Sequence, residues 1–165
     1  MEIFDFEIPG HSTRQEWAVY VIVAKKINSN KKILYVGKTG DNRIGCNPII
    51  SRIGNHFSHN TIHSQMRNNL DKLDDTTDYN YKIFYATFGK YNINSHKSDK
   101  DKINECERQL NCYVQEQLKD VENVELLNPY KGIGVSKIKK LERENLLTNA
   151  DKETLKFLVE KVINK

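Results

Sequence analysis

The chain is poor in cysteine and has neither a long apolar run nor a repeat. Its 165 residues include three cysteines, Cys46, Cys106 and Cys112. An odd number without metal-ligand spacing offers no disulfide framework and no cysteine-bound zinc, so a reduced, cytoplasmic setting is expected. Cys106 and Cys112 fall in one predicted helix and read as packing residues. No apolar stretch approaches the roughly 20 residues of a spanning helix, so no membrane partner is expected. Residues 1–10 carry acidic side chains and no apolar core, unlike a signal peptide. What is present suits one domain: 38% hydrophobic residues for a packed core and 29% charged residues for a solvated surface.

Charge is unevenly spread. The net charge is only +4, yet residues 17–72 hold nine Lys/Arg against two Asp/Glu. Residues 1–16 and 73–130 are net acidic, and residues 131–165 are basic again. A basic central stretch fits an anionic partner such as a nucleic acid; a solvated lysine-rich surface would produce the same composition.

Phe4, Phe6 and Ile8 alternate before Pro9-Gly10, which reads as a short extended arm over residues 1–16. Residues 17–24 are apolar, β-branched or aromatic throughout, the pattern of a central strand buried on both faces. A polar turn around Asn28-Ser29-Asn30 leads to a second strand over 33–37. With an even-length loop and regular antiparallel pairing, Tyr20 and Tyr35 share a face. A loop centred between Ile27 and Asn28 sets them directly opposite; one centred between Asn28 and Ser29 sets them diagonally.

Asn47-Pro48 reads as a helix start, with Asn as N-cap and Pro at the first helical position. Ile49, Ile53 and Phe57 form its apolar stripe, and Arg52 and His56, four apart, share a different face. A short helix over 62–70, an acidic loop over 71–78 and an aromatic strand over 79–88 follow. A long helix is expected over 100–119, buried along Ile103, Leu110, Val114 and Leu118. Glu107 falls on that stripe, where a carboxylate is costly unless it has a partner. Two further helices are expected after Gly132 and Gly134, with apolar positions at Ile138, Leu141 and Leu146, then Leu155, Leu158, Val159 and Val162.

In chain order, Tyr20, Tyr35, Arg52, His56, Glu107 and Asn128 supply a hydroxyl pair, a cation, a base, a carboxylate and an amide. This set resembles the GIY-YIG nuclease family. Ala18-Val19-Tyr20 is similar to its first motif, with Ala for Gly and Val for Ile, and Tyr35-Val36-Gly37-Lys38 to its second. Arg52 and His56 match its helix residues, Glu107 followed by Leu110 its metal-binding Glu, and Asn128 its closing Asn. Arg43 rivals Arg52, and Glu105 rivals Glu107. Arg52 is preferred because His56 follows on the same helical face, Glu107 because Leu110 follows it at the family's spacing and because it faces the core stripe. The segment 38–52 is longer than in compact members and reads as an inserted, DNA-contacting loop.

The resemblance implies an α+β fold: a small central antiparallel three-stranded sheet flanked by helices over residues 17–130, with two extra helices over 131–165 packed on it. It also implies a DNA endonuclease using Mg²⁺ or Mn²⁺. Glu107 would bind the metal, Tyr20 would orient or deprotonate the attacking water, and His56 would accept the tyrosine proton. Tyr35 would hydrogen-bond water or phosphate. Arg52 would grip the phosphate, with Lys38 and Arg43 as further DNA contacts, and Gly37, Lys38 and Asn128 would support the site. A restriction, phage or defence role is in keeping with so small a unit. Cutting both strands from one site would call for a homodimer or sequential nicks.

Three other readings compete. The fold could be kept as a catalytically inactive nucleic-acid-binding module. A protein-interaction domain would leave Glu107 and the basic stretch unexplained. His56, His59 and His63 could form a transition-metal site, but the helix is expected to break at 58–61 and no cysteine or further carboxylate lies nearby. No small-molecule cofactor is expected.

Overall fold

In a computed structural model, which describes residues 2–40, 44–60 and 62–164, the protein is a mixed α+β chain. The first strand, β1 (Glu16–Lys26), pairs antiparallel with both β2 (Lys32–Lys38) and β3 (Tyr79–Lys90). Helices α1 (Ile49–Phe57) and α2 (Gln65–Leu70) fill the β2–β3 connection. Helix α3 (His96–Gln117) then leads to a three-residue strand, β4 (Val124–Leu126), and to α4 (Lys137–Glu144) and α5 (Asn149–Ile163).

The sheet has four strands in the order β3-β1-β2-β4, not the three expected. β4 lies parallel to β2, reached through the long α3 crossover. Three residues, Val-Glu-Leu, are too few to establish a period-two pattern, which is why this strand leaves no signal in the sequence.

β1 is buried on both faces, as its unbroken apolar run requires, and it divides the core in two. On one side Val19, Val21, Leu34 and Val36 pack against Ile103, Cys106, Leu110 and Val114 of α3, and against Leu155, Leu158, Val159 and Val162 of α5. On the other, Tyr20, Ile22, Ile33 and Tyr35 pack against Ile49 and Ile53 of α1 and Met66 and Leu70 of α2. The sheet is thus the middle of three layers.

The two C-terminal helices behave differently. α5 begins with a reciprocal capping box between Thr148 and Asp151 and carries part of the core. α4 has no buried residue, and Ile138 and Leu141 are exposed. The N-terminal arm has no regular structure before a 3₁₀ turn at Gly10–Thr13, and Phe4 and Phe6 are exposed.

Helix α1 starts one residue later than its sequence suggests. Pro48, with ψ 152°, is the N-cap itself, so Asn47 does not cap the helix. No helix among the described residues is long and apolar enough to cross a membrane. Because Leu155 is fully buried between α5 and the sheet, Leu155→Ala should cost about 2–5 kcal/mol of unfolding free energy. Urea denaturation followed by circular dichroism checks this, and an unchanged midpoint would place α5 outside the cooperative core.

Candidate active site

The site begins with strand register. Tyr20 stands opposite Gly37 on β2 and opposite Tyr85 on β3, while Tyr35 stands opposite Ile22. With side chains alternating along each strand, Tyr20, Tyr35 and Tyr85 share one face, and Tyr20 and Tyr35 are diagonal neighbours. This is the register set by a loop centred between Asn28 and Ser29. Asn28 takes φ 59°, a left-handed conformation that Asn tolerates better than most residues.

Gly37 has a steric reason to be glycine. A β-carbon there would come within 2.5 Å of the Tyr20 ring and hydroxyl. The Tyr20 side chain therefore lies across the bare backbone of β2. Thr39 closes the same end of the hairpin: its buried hydroxyl accepts from the Ala18 amide at 2.7 Å and donates to the Glu16 carbonyl at 2.9 Å.

From α1, His56 reaches down to this face. Its Nε2 lies 2.6 Å from Tyr20 Oη, and both residues are fully buried. The imidazole meets the Tyr35 ring edge-on, with centroids 4.8 Å apart. Its Nδ1 is buried without a protein partner. Burial, reinforced by the Arg52 charge, pulls the His56 pKa down to about 4, so the ring is neutral at pH 7. Burial pushes Tyr20 far above the ordinary phenol value, opposed by the charge and hydrogen bond of Arg52. Burial also raises Tyr35 to about 12, with Glu107 adding and Arg52 opposing.

Arg52 sits one turn before His56 on α1 and is partly buried. Its charge acts on Tyr20, Tyr35, His56 and Glu107 together. Lys38, at the end of β2, donates from Nζ to the Gly40 carbonyl at 2.7 Å and is the strongest cationic influence on Glu107. Arg43 lies outside the described residues.

The two carboxylates of α3 part company. Glu105, not Glu107, is the fully buried one, at 1% exposure. It is ion-paired with Arg108 and accepts from Gln109 Nε2 at 3.0 Å. Glu107 is only partly buried, at the edge of the helix's inward face. It alone of the two acts on Tyr20 and Tyr35. Burial raises its pKa more than the nearby charges of Lys38 and Arg52 lower it. No group of three or more His, Cys, Asp or Glu side chains gathers into a metal cage among the described residues. A single carboxylate with room for water suits a hard cation that keeps most of its hydration, as Mg²⁺ does. His56 is turned to Tyr20, and α1 ends at Phe57 before His59 and His63, so the three do not line one helix face.

Asn128 works as a side-chain extension of β4. Its Oδ1 accepts from the Val36 amide at 3.0 Å and its Nδ2 donates to the Val36 carbonyl at 2.6 Å. It thus fixes the strand segment between Tyr35 and Gly37. Asn111, which no motif singles out, holds Asn128 in turn: its Nδ2 donates to the Asn128 carbonyl at 2.8 Å, and its Oδ1 accepts from the Tyr130 amide at 2.9 Å. The only sequence signal for it is an amide four residues after Glu107, beside the apolar Leu110. Tyr85 is a second residue that no motif marks. Its hydroxyl is buried without a partner, directly across from Tyr20.

Two outcomes follow from this geometry. Gly37→Ala should displace the Tyr20 ring and lower the melting temperature, whereas Gly54→Ala, whose β-carbon meets nothing within 4 Å, should not. A thermal melt of each variant tests this, and equal melting temperatures for Gly37→Ala and wild type would contradict the close packing. His56 sets a pH dependence. Its folded pKa is depressed, so its contribution to stability is complete above about 6.5 and is lost as pH falls toward about 4. The loss should reach roughly 2–3 kcal/mol by pH 4. His56→Gln should flatten this part of the stability profile in urea melts between pH 7 and 4. An identical slope in the variant would assign the titration elsewhere.

No protein-family model matches the chain, and no curated protein or solved structure matches it either.

Proposed function

We propose that the protein is a metal-dependent DNA endonuclease of the GIY-YIG kind, with its nuclease unit over residues 17–130. The observation that carries this reading is the buried 2.6 Å contact between Tyr20 and His56, with Arg52 beside it and Glu107 electrostatically coupled to both tyrosines. The order of strands and helices around the tyrosine pair, and the closing Asn128, support the same reading.

The resting pair is a neutral tyrosine and a neutral histidine, since burial disfavours both the phenolate and the imidazolium. A free phenolate waiting for substrate is therefore the costly route. A concerted relay avoids it. As the water oxygen bonds to phosphorus, Tyr20 Oη takes the water's proton and passes its own to His56 Nε2. The phosphorus–oxygen bond to the leaving strand breaks, and that oxygen takes a proton from solvent. The imidazolium left behind is offset by the charge of the phosphate group. For this step His56 carries its resting proton on Nδ1 and accepts at Nε2. Arg52 grips a non-bridging oxygen, and Tyr35 donates to the phosphate or to the water. Glu107 would hold Mg²⁺ or Mn²⁺, which when bound neutralises the scissile phosphate and stabilises the leaving oxygen. Asn128 and Gly37 act on position alone.

Purified protein with Mg²⁺ should nick or cut plasmid DNA. Glu107→Ala should abolish cleavage while leaving DNA binding within about threefold, and Tyr20→Phe should slow the chemical step by about 10²–10⁴. Gel assays and anisotropy report the two separately. Wild type that binds DNA but cuts no plasmid, branched or single-stranded substrate with either metal would replace this reading with an inactive binding module.

A further inference from the structure

A cavity of about 410 Å³ opens directly beside Glu107, and neither the tyrosine pair nor α1 takes part in it. Its wall includes Glu107, Asn111 and Asn128 of the site already described. Its other lining includes Arg108 of α3, Tyr130 and Lys131 of a later loop, and Arg143 of α4. Three cations from three separate segments thus converge where the candidate active site ends.

Their pairing is unequal. Arg108 is bound to the buried Glu105, and its guanidinium lies over the Tyr130 ring, 5.9 Å from the centroid. These contacts fix it as part of the wall. Lys131 and Arg143 have no carboxylate partner among the described residues. Arg143 is nonetheless partly buried and close enough to Arg108 to disfavour its charge. Folding thus sets Arg143 beside an Arg108 whose own carboxylate partner, Glu105, is already engaged, with Glu107 as the carboxylate on the same wall. An incoming anion would relieve that repulsion. The cavity is too large for a bare phosphate, and Ile133 and Val135 add apolar surface to its rim.

Resting on the nuclease reading above, we infer that this cavity receives a backbone phosphate and its sugar one or more nucleotides along the strand from the bond that is cut. Lys131 and Arg143 are its phosphate contacts. The inference also accounts for α4, which buries nothing in the core but carries Arg143 to the edge of the Glu107 wall. Asn111 and Asn128, which fix β2, also line the subsite. A strand held there is therefore held in register with Tyr20 and Tyr35.

The test is binding of a fluorescein-labelled 20-base-pair DNA duplex, read by anisotropy in the cleavage-silent Glu107→Ala background. Lys131→Ala with Arg143→Ala should weaken binding at least tenfold near 0.1 M salt. The slope of log affinity against log salt should fall by roughly 0.9, the value for one phosphate no longer neutralised. With Glu107 restored, kcat/KM should drop in parallel while kcat at saturating DNA stays within about threefold. A charge-matched control, Lys156→Ala with Lys161→Ala on α5, should leave the slope unchanged. Circular dichroism confirms that each variant is folded. Unchanged affinity and slope in the Lys131/Arg143 variant, or an equal change in the control, would overturn the subsite while leaving the nuclease reading intact. Binding that depends on Lys131 and Arg143 in a wild type that cuts nothing would retain the subsite and remove the nuclease reading. A wild type that binds no DNA removes both.

Discussion

The contact between Tyr20 Oη and His56 Nε2 joins the middle strand of the sheet to the helix above it, and it does so directly, side chain to side chain. Nothing in either residue alone creates it. Tyr20 must lie flat across β2, which requires a residue without a side chain at position 37. Gly37 must fall opposite Tyr20, which requires the β1–β2 register, and the register depends on a turn in which Asn28 takes a positive φ. His56 must arrive from above, which requires α1 to seat Ile49 and Ile53 on the same face of the sheet. A slip of one residue in the hairpin would send Tyr20 to the α3 side and leave His56 without its hydroxyl partner. The hydrogen bond is therefore a consequence of the fold's register as much as a feature of its chemistry.

Burial acts on every titratable group here in the same direction, against charge. It lifts Tyr20, Tyr35 and Glu107 and lowers His56. Arg52 opposes burial at the two tyrosines and at Glu107 and reinforces it at His56. Its guanidinium favours the anionic form of the two tyrosines and of Glu107, and it disfavours a cationic His56. One cation thus keeps His56 a neutral acceptor and Tyr20 a better donor. Lys38 adds to this at Glu107. Burial still prevails at Glu107 and holds its pKa above the ordinary carboxylate value.

Much of this arrangement is legible in the residues. The unbroken run in β1 announces a strand buried on both faces, and the parity of an antiparallel hairpin puts Tyr20 and Tyr35 on one of them. The spacing of Arg52 and His56 puts them on one helical face. The residues are less informative where a feature depends on partners far along the chain. β4 is defined by its parallel register with β2, not by any pattern of its own. Asn111 matters because of what it grips, the Asn128 carbonyl and the Tyr130 amide, and an asparagine inside a helix gives no hint of that. The buried stripe expected on α3 is too narrow. A 22-residue helix packed against both the sheet and α5 buries a broad face, wide enough to enclose Glu105 with Arg108 and leave Glu107 at its margin.

That marginal position has a structural logic. A fully buried carboxylate needs a permanent protein partner, as Glu105 does, and once paired it has nothing left to offer a ligand. A carboxylate on the exposed face would be fully hydrated, without influence on Tyr20 or Tyr35. Glu107 lies between these limits, one side toward the tyrosine pair and the other toward the cavity of Lys131 and Arg143. The helix holds it there because Ile103, Cys106, Leu110 and Val114 anchor α3 to the sheet while α5 closes the opposite flank. The C-terminal helix therefore bears on the site through packing alone. Its packing on α3 helps hold the helix in the rotation that encloses Glu105 and leaves Glu107 at the margin.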